Sequence, residues 1–230
     1  MRKIAVHVVL VFVFLSGVCL AGDKPEIKDE KGKINYSIGY QIGGDFKRQG
    51  IDLDPDLIVK GIQDALSESK PLMTPQEMRK TLVDLKTKIV ADQRKQQKEQ
   101  AQKNLAEGKA FLAKNAKKKG VKTLPSGLQY KVIEKGNGTS PKKTDSVTVN
   151  YRGTLIDGTE FDSSYKRGKP ATFRVDGVIA GWTEALQLMK PGAKWQLFIP
   201  ANLAYGERGA GPRIGPNSAL IFEVELTKVN

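Results

Sequence analysis

The 230-residue sequence has one cysteine and one histidine, Cys19 and His7, and both lie within its first twenty positions. If that segment is removed on maturation, the working chain has neither residue. This excludes thiol nucleophiles, disulfides, Ser-His-Asp triads, histidine general bases and zinc sites built from Cys and His. The sequence also lacks a long apolar run. Ile4 to Leu15, broken only by His7, is shorter than the roughly 20 residues a membrane span needs, and no later stretch comes close.

What is present at the start is Arg2 and Lys3, that apolar run, and small residues near Ala21, the layout of a secretory signal peptide over residues 1–21. Cleavage after Ala21 would leave a mature chain beginning at Gly22, exported and periplasmic; outer-membrane association or release from the cell stays open. So does lipidation of Cys19, although Val18 is branched where a lipoprotein signal wants a small residue. The net charge of +13 is spread over polar helices and loops, with one dense run at Lys117, Lys118 and Lys119. No nucleic-acid motif accompanies it, so a solvated basic surface is the expectation.

The mature chain divides where its hydrophobic period changes. From Lys33 to Lys119 the pattern is helical. Ile34, Ile38, Ile42 and Phe46 make one stripe and Ile58, Ile62 and Leu66 a second, while Met78, Leu82, Leu85 and Ile89 open a third. Asp54 followed by Pro55 reads as a helix start, and Thr74 with Glu77 has capping-box spacing. The third helix is expected to run from Pro75 to Lys118, a rod of about 66 Å. Its middle, DQRKQQKEQAQKN from Asp92 to Asn104, is too polar for a core and reads as a spacer across solvent. The segment from residue 33 to 90 is too small to bury three one-sided stripes alone, which favours an intertwined homodimer through those residues. A monomeric helical cap folded on the rest of the chain is the alternative. The expected divisions are a helical dimerisation domain over 22–90, a connecting helix over 75–119, and a second domain over 120–230.

From about Val121 the period is two. Leu128, Tyr130 and Val132 alternate; so do Val147, Val149 and Tyr151, and so do Leu220, Phe222, Val224 and Leu226. Asp157-Gly158 marks a hairpin between Leu155 and Phe161. A single helical stretch, Gly181 to Met189, ends before Pro191-Gly192. The expected fold is α+β, with an antiparallel sheet carrying one short helix. Because the sheet has its own alternating core, residues 120–230 are expected to fold and work alone, with few contacts to the rod.

Three runs carry a resemblance: VTVNYRGTLIDGTEFDSSYKRGKPATF, VIAGWTEALQLMKPGAKWQLFIPANLAYG and GPNSALIFEVEL. In order and spacing they resemble the FKBP-type peptidyl-prolyl cis-trans isomerase domain over about residues 126–229. YSIGYQIGGDFKRQGIDLDPDLIVKGIQDAL resembles the helical dimerisation region of the Mip-like and periplasmic members. The resemblance implies a sheet wrapped on its helix around a proline pocket. Its floor is Trp182, its walls are Tyr151, Phe161, Val178, Ile179 and Phe222, and Asp162 is its polar member, paired with Arg167. Tyr205 occupies the position whose hydroxyl binds a substrate carbonyl, the Ile179 N–H is a second donor, and Ile214 packs over the proline from the glycine-rich loop after Tyr205. Asp162, Tyr205 and Phe222 are the expected catalytic residues. Ala171, Ala210 and Leu203 depart from the small members, which have an aromatic, a histidine and a tyrosine there. Substrate preference and affinity for macrolide inhibitors are therefore open.

The implied activity needs no cofactor, metal or nucleophile, in keeping with the missing cysteine and histidine. An X-Pro amide rotates over about 18–20 kcal/mol because resonance keeps it planar. A dry aromatic site disfavours the polar planar form relative to the twisted one. Spacing alone would read the aromatics as core, Asp162–Arg167 as a surface ion pair and Tyr205 as a strand-end cap. The glycine-rich GERGAG lacks a dinucleotide fingerprint. Two functions follow, an exported foldase acting on unfolded, proline-containing clients, and a chaperone that recognises proline with little catalysis.

Overall fold

Two aspartates open the first helices. The Asp29 carboxylate accepts the N–H of Gly32 at 2.7 Å and starts α1 (Glu30–Arg48), three residues ahead of the expected Lys33. Asp54 accepts the N–H groups of Asp56 and Leu57 at 2.9 and 3.1 Å and starts α2 (Pro55–Leu66), with Pro55 at the first helical position. The computed structural model describes residues 26–230, so the signal segment 1–21 lies outside them. The described chain forms two compact units that meet in sequence at Pro75 and Gln76.

In the first unit neither helix buries a residue. Ile34, Ile38 and Ile62 are each about half exposed, at 52, 53 and 52%. Ile38 and Ile42 of α1 face Ile58, Ile62 and Leu66 of α2 across an apolar groove of about 900 Å³. The two stripes therefore sit on one surface, open in a single chain.

The second unit begins with α3 (Pro75–Asn115), 41 residues without interruption. It runs through Gly108 and stops three residues before the expected Lys118. The sheet follows: β1 (Val121–Thr123), β2 (Gln129–Lys135), β3 (Ser146–Leu155), β4 (Glu160–Ser163), β5 (Ala171–Arg174), β6 (Ala193–Ile199) and β7 (Leu220–Val229). Their order is β1-β2-β6-β7-β3-β4, every pair antiparallel, with β5 sharing the outer edge of β3 with β4. The helix α4 (Ala180–Leu186) lies on one face and buries Gly181, Trp182, Ala185 and Leu186. The alternation expected in β3 and β7 holds: Val147, Val149, Tyr151, Leu220, Phe222, Val224 and Leu226 are all core residues. The turn at Asp157-Gly158 is closed by the Gly158 N–H to the Leu155 carbonyl, with Gly158 at φ 90°.

The contacts between rod and sheet are few, as expected, but they are specific: the end of α3 packs on the sheet. Asn115 is 1% exposed and donates to the Gln129 side chain at 3.0 Å, and Gln129 donates to the Leu112 carbonyl at 2.9 Å. Phe111 meets Phe198 at 6.0 Å between ring centroids. Gly108 lies so close to the start of β7 that a Cβ there would stand 3.0 Å from the Ala219 Cβ. The polar composition concealed this because the attachment uses amides, one glycine and the single aromatic Phe111 in place of a long apolar stripe. Residues 104–115 thus belong structurally to the sheet domain, while the polar stretch before them is exposed apart from Ala101.

Candidate active site

The first turn of α4 sets the floor of a cavity. Gly181 has no side chain because Ile199 of β6 occupies the space, its Cγ2 being 2.6 Å from where a Cβ would stand. This contact seats Trp182 with its ring edge-on to Tyr151, Phe222 and Phe173, at centroid distances of 5.3, 5.2 and 6.0 Å. Phe161 meets Phe222 edge-on at 5.5 Å. Strand register brings these rings together. Gly153 of β3 is opposite Phe222 of β7 on one side and Asp162 of β4 on the other. A Cβ on Gly153 would lie 2.7 Å from both the Phe161 and Phe222 rings, so its absence lets the two walls close.

The cavity has a volume of about 850 Å³, within the range of small-ligand sites. Of the residues expected at the pocket, Tyr151, Phe161, Asp162, Val178, Ile179, Trp182, Tyr205, Ile214 and Phe222 line it. Arg167 does not; it stands behind, where its guanidinium pairs with the Asp162 carboxylate, donates to the Tyr151 hydroxyl at 2.6 Å and lies 5.3 Å from the Tyr151 ring centre. The Tyr151 hydroxyl in turn donates to Asp162 at 2.5 Å. Phe173 and Arg213 were not foreseen in the lining. The signal for Phe173 was its alternation with Ala171 in β5, both being partly buried. Phe173 supplies an aromatic wall two residues beyond the alanine that departs from the family pattern. Nothing local marked Arg213, which reaches across to donate to the Phe161 carbonyl at 3.1 Å.

Burial alone pushes the Asp162 carboxyl up, but the hydrogen bonds from Tyr151 and Arg167 and the Arg167 charge outweigh it and hold the group below the usual carboxylate value. Burial, reinforced by the bond to Asp162, raises Tyr151. Burial, with the nearby Asp162 charge, raises Tyr205. Asp162 is therefore a fixed anion and both tyrosines are fixed neutral phenols at neutral pH. Tyr205 is 41% exposed, and neither its hydroxyl nor the Ile179 N–H has a partner among the described residues. The cavity thus offers the Tyr205 hydroxyl and the Ile179 N–H as free donors, a largely apolar interior, and no Cys, Ser, Thr, Lys or His on its lining. Among the described residues there is also no cluster of His, Cys, Asp and Glu able to hold a metal.

An aromatic cavity with unpartnered donors, held between a sheet and one short helix, suits a protein that takes an apolar segment of peptide. Residues 137–227 match the family model described as FKBP-type peptidyl-prolyl cis-trans isomerase, and residues 31–132 match the domain amino terminal to it. The chain belongs to the FKBP-type peptidyl-prolyl cis-trans isomerases, and that is its enzymatic activity. It is 48% identical to the outer membrane protein MIP of Legionella longbeachae, over 94% of this chain and 92% of that one. It is 47% identical to the peptidyl-prolyl cis-trans isomerase Mip of Coxiella burnetii, over 96% and 97%. The crystal structure of FkpA from Escherichia coli superposes with a TM-score of 0.71 at 43% identity, covering 89% of this chain and 99% of that one.

Proposed function

We propose that the chain is an exported, homodimeric foldase that turns X-Pro bonds of unfolded polypeptides in the cavity over Trp182. The observation that carries this reading is the pairing of an aromatic interior with two unpartnered donors. The proline ring enters between Phe161, Phe222 and Trp182. The Ile179 N–H and the Tyr205 hydroxyl bind carbonyl oxygens of the flanking chain and hold it while the amide rotates. Asp162, kept charged by Arg167 and Tyr151, faces the amide from the wall. Rotation removes resonance, so the carbonyl becomes less polar and the nitrogen more basic, and a water-poor aromatic cavity favours that form relative to the planar one. The same aromatic surface would accommodate a macrolide inhibitor.

No proton is transferred in this scheme, and that can be tested. The lowered Asp162 group contributes fully above the ordinary carboxylate value, and its contribution is lost only as pH falls through its depressed value. The raised tyrosines contribute fully below the ordinary phenol value and lose this only as pH rises through their higher values. Turnover of an X-Pro peptide, followed by NMR exchange, is expected to stay within about twofold between roughly pH 5 and 9. A bell-shaped profile inside that window would instead require a general acid or base.

The signal-like first 21 residues and a relative named as an outer membrane protein support export to the periplasm or cell envelope. No helix among the described residues is long and apolar enough to cross a membrane. Amino-terminal sequencing of protein recovered from the periplasm is expected to begin at Gly22; an intact Met1 would reject export by this route. The exposed stripes of α1 and α2 support the homodimer through residues 33–90. Two cavities in one dimer favour long unfolded clients, and holding such clients would add a chaperone role.

A further inference from the structure

We propose that Asn104 of α3 is a positioning residue for the isomerase site, holding the loop that carries Ile214. The inference rests on the cavity being the proline site.

The loop after Tyr205 is closed on itself. The Asn217 N–H donates to the Gly206 carbonyl at 2.8 Å, and Ala210 and Ile214 exchange backbone bonds at 2.8 and 3.2 Å. Inside this closure the Ile214 side chain is 7% exposed and forms part of the cavity lining. The root of the loop is held from outside the sheet. The Asn104 side-chain amide donates to the Pro216 carbonyl at 2.7 Å and lies 3.3 Å from the Ser218 hydroxyl. That hydroxyl donates to the Gly215 carbonyl at 2.9 Å.

Gly215 leaves room for the amide, since a Cβ there would stand 3.0 Å from the Asn104 nitrogen. Gln100, one turn earlier on α3, donates to the Asn104 oxygen at 2.7 Å and so fixes which end of the amide faces Pro216. Four residues later, the close approach of Gly108 to Ala219 sets the distance between helix and loop. A helix read as a passive spacer therefore supplies the anchor for one wall of the cavity. Among the described residues, the only other side-chain bond from the loop to a distant part of the chain is that of Arg213 to the Phe161 carbonyl.

Loss of the anchor frees the loop root without touching Asp162, Tyr205 or Phe222. The expected effect is on binding more than on the rotation step, because Ile214 contacts the proline in ground and transition states alike. In the full-length protein, Asn104→Ala is expected to raise KM for an X-Pro peptide by about 3- to 10-fold with kcat within about twofold. Asn104→Asp keeps the shape but cannot donate, so it should raise KM similarly. Amide hydrogen exchange at Ala210, Ile214 and Asn217 should quicken in both, with the β6 amides unchanged.

Phe111→Ala loosens the same helix against Phe198 without a bond to the loop, and should lower the melting temperature at constant KM. If Asn104→Ala folds poorly, Ser218→Ala tests the same link, with a smaller rise in KM expected. An unchanged KM in Asn104→Asp, or an equal rise in Phe111→Ala, would overturn the proposal. Failure of the cavity reading is seen separately in the wild type, as Ile179 and Ile214 amide signals that do not respond to an X-Pro peptide.

Discussion

Asp162→Ala should lower kcat/KM on a short X-Pro peptide by about 10- to 100-fold while costing little stability. The size follows from the role proposed for Asp162, a charge facing the rotating amide from the wall of a largely apolar cavity. The low stability cost follows from exposure: the Asp162 and Arg167 side chains are each 43% accessible, and exposed ion pairs contribute little. Phe222→Ala should lower turnover as strongly, but its interpretation differs. Phe222 is 5% exposed and belongs to the core cluster as well as the cavity wall, so truncation is expected to cost about 3–5 kcal/mol of stability. Activity must then be expressed per folded molecule, with Phe222→Leu as a partner variant that keeps an apolar side chain and loses the ring. Equal losses of activity and folded fraction in both Asp162→Ala and Phe222→Leu would return these residues to a purely structural role.

Full-length protein should sediment at twice the mass of one chain and should outperform its isolated catalytic part on a refolding protein, but not on a tetrapeptide. A single chain leaves the α1 and α2 stripes open, and a second copy is the simplest occupant for identical apolar grooves. Two cavities then meet one unfolded client, and linked binding raises effective concentration by up to about 10²-fold without a new contact. A tetrapeptide engages one cavity and gains nothing.

The choice of fragment matters here. Residues 96–230 retain the docked end of α3, and should match the full-length chain on the tetrapeptide within about twofold. Residues 120–230 lose the Asn115–Gln129 bond, the Phe111–Phe198 contact and the Asn104 anchor. They should therefore be less stable and bind more weakly, contrary to what the alternating pattern of the sheet alone suggests. A monomeric full-length chain, or equal refolding rates with and without the helical unit, would remove the dimer from the account.

The chain's local chemistry was legible without coordinates wherever one residue type decides the outcome. Asp54 with Pro55 starts α2 because a side-chain oxygen satisfies free N–H groups and proline has none to lose. The period of two in β3 and β7 selects the buried face because successive side chains point to opposite sides. The absence of cysteine and histidine after residue 19 set the chemistry of the site by exclusion. The resemblance then named nine residues that line the cavity.

What only the tertiary structure decided depends on partners distant in sequence. Gly153 shapes the cavity because register sets it between Phe222 and Asp162, and no local pattern encodes register. Phe173 becomes a wall because β5 pairs with the first half of β3. Asn104 reads as one more polar residue in a polar helix, since a hydrogen bond to a carbonyl 112 positions away leaves no periodic trace in the sequence. Hydrophobic patterning reports which face of an element is buried, whereas a directional polar contact exists only once the fold has brought donor and acceptor together.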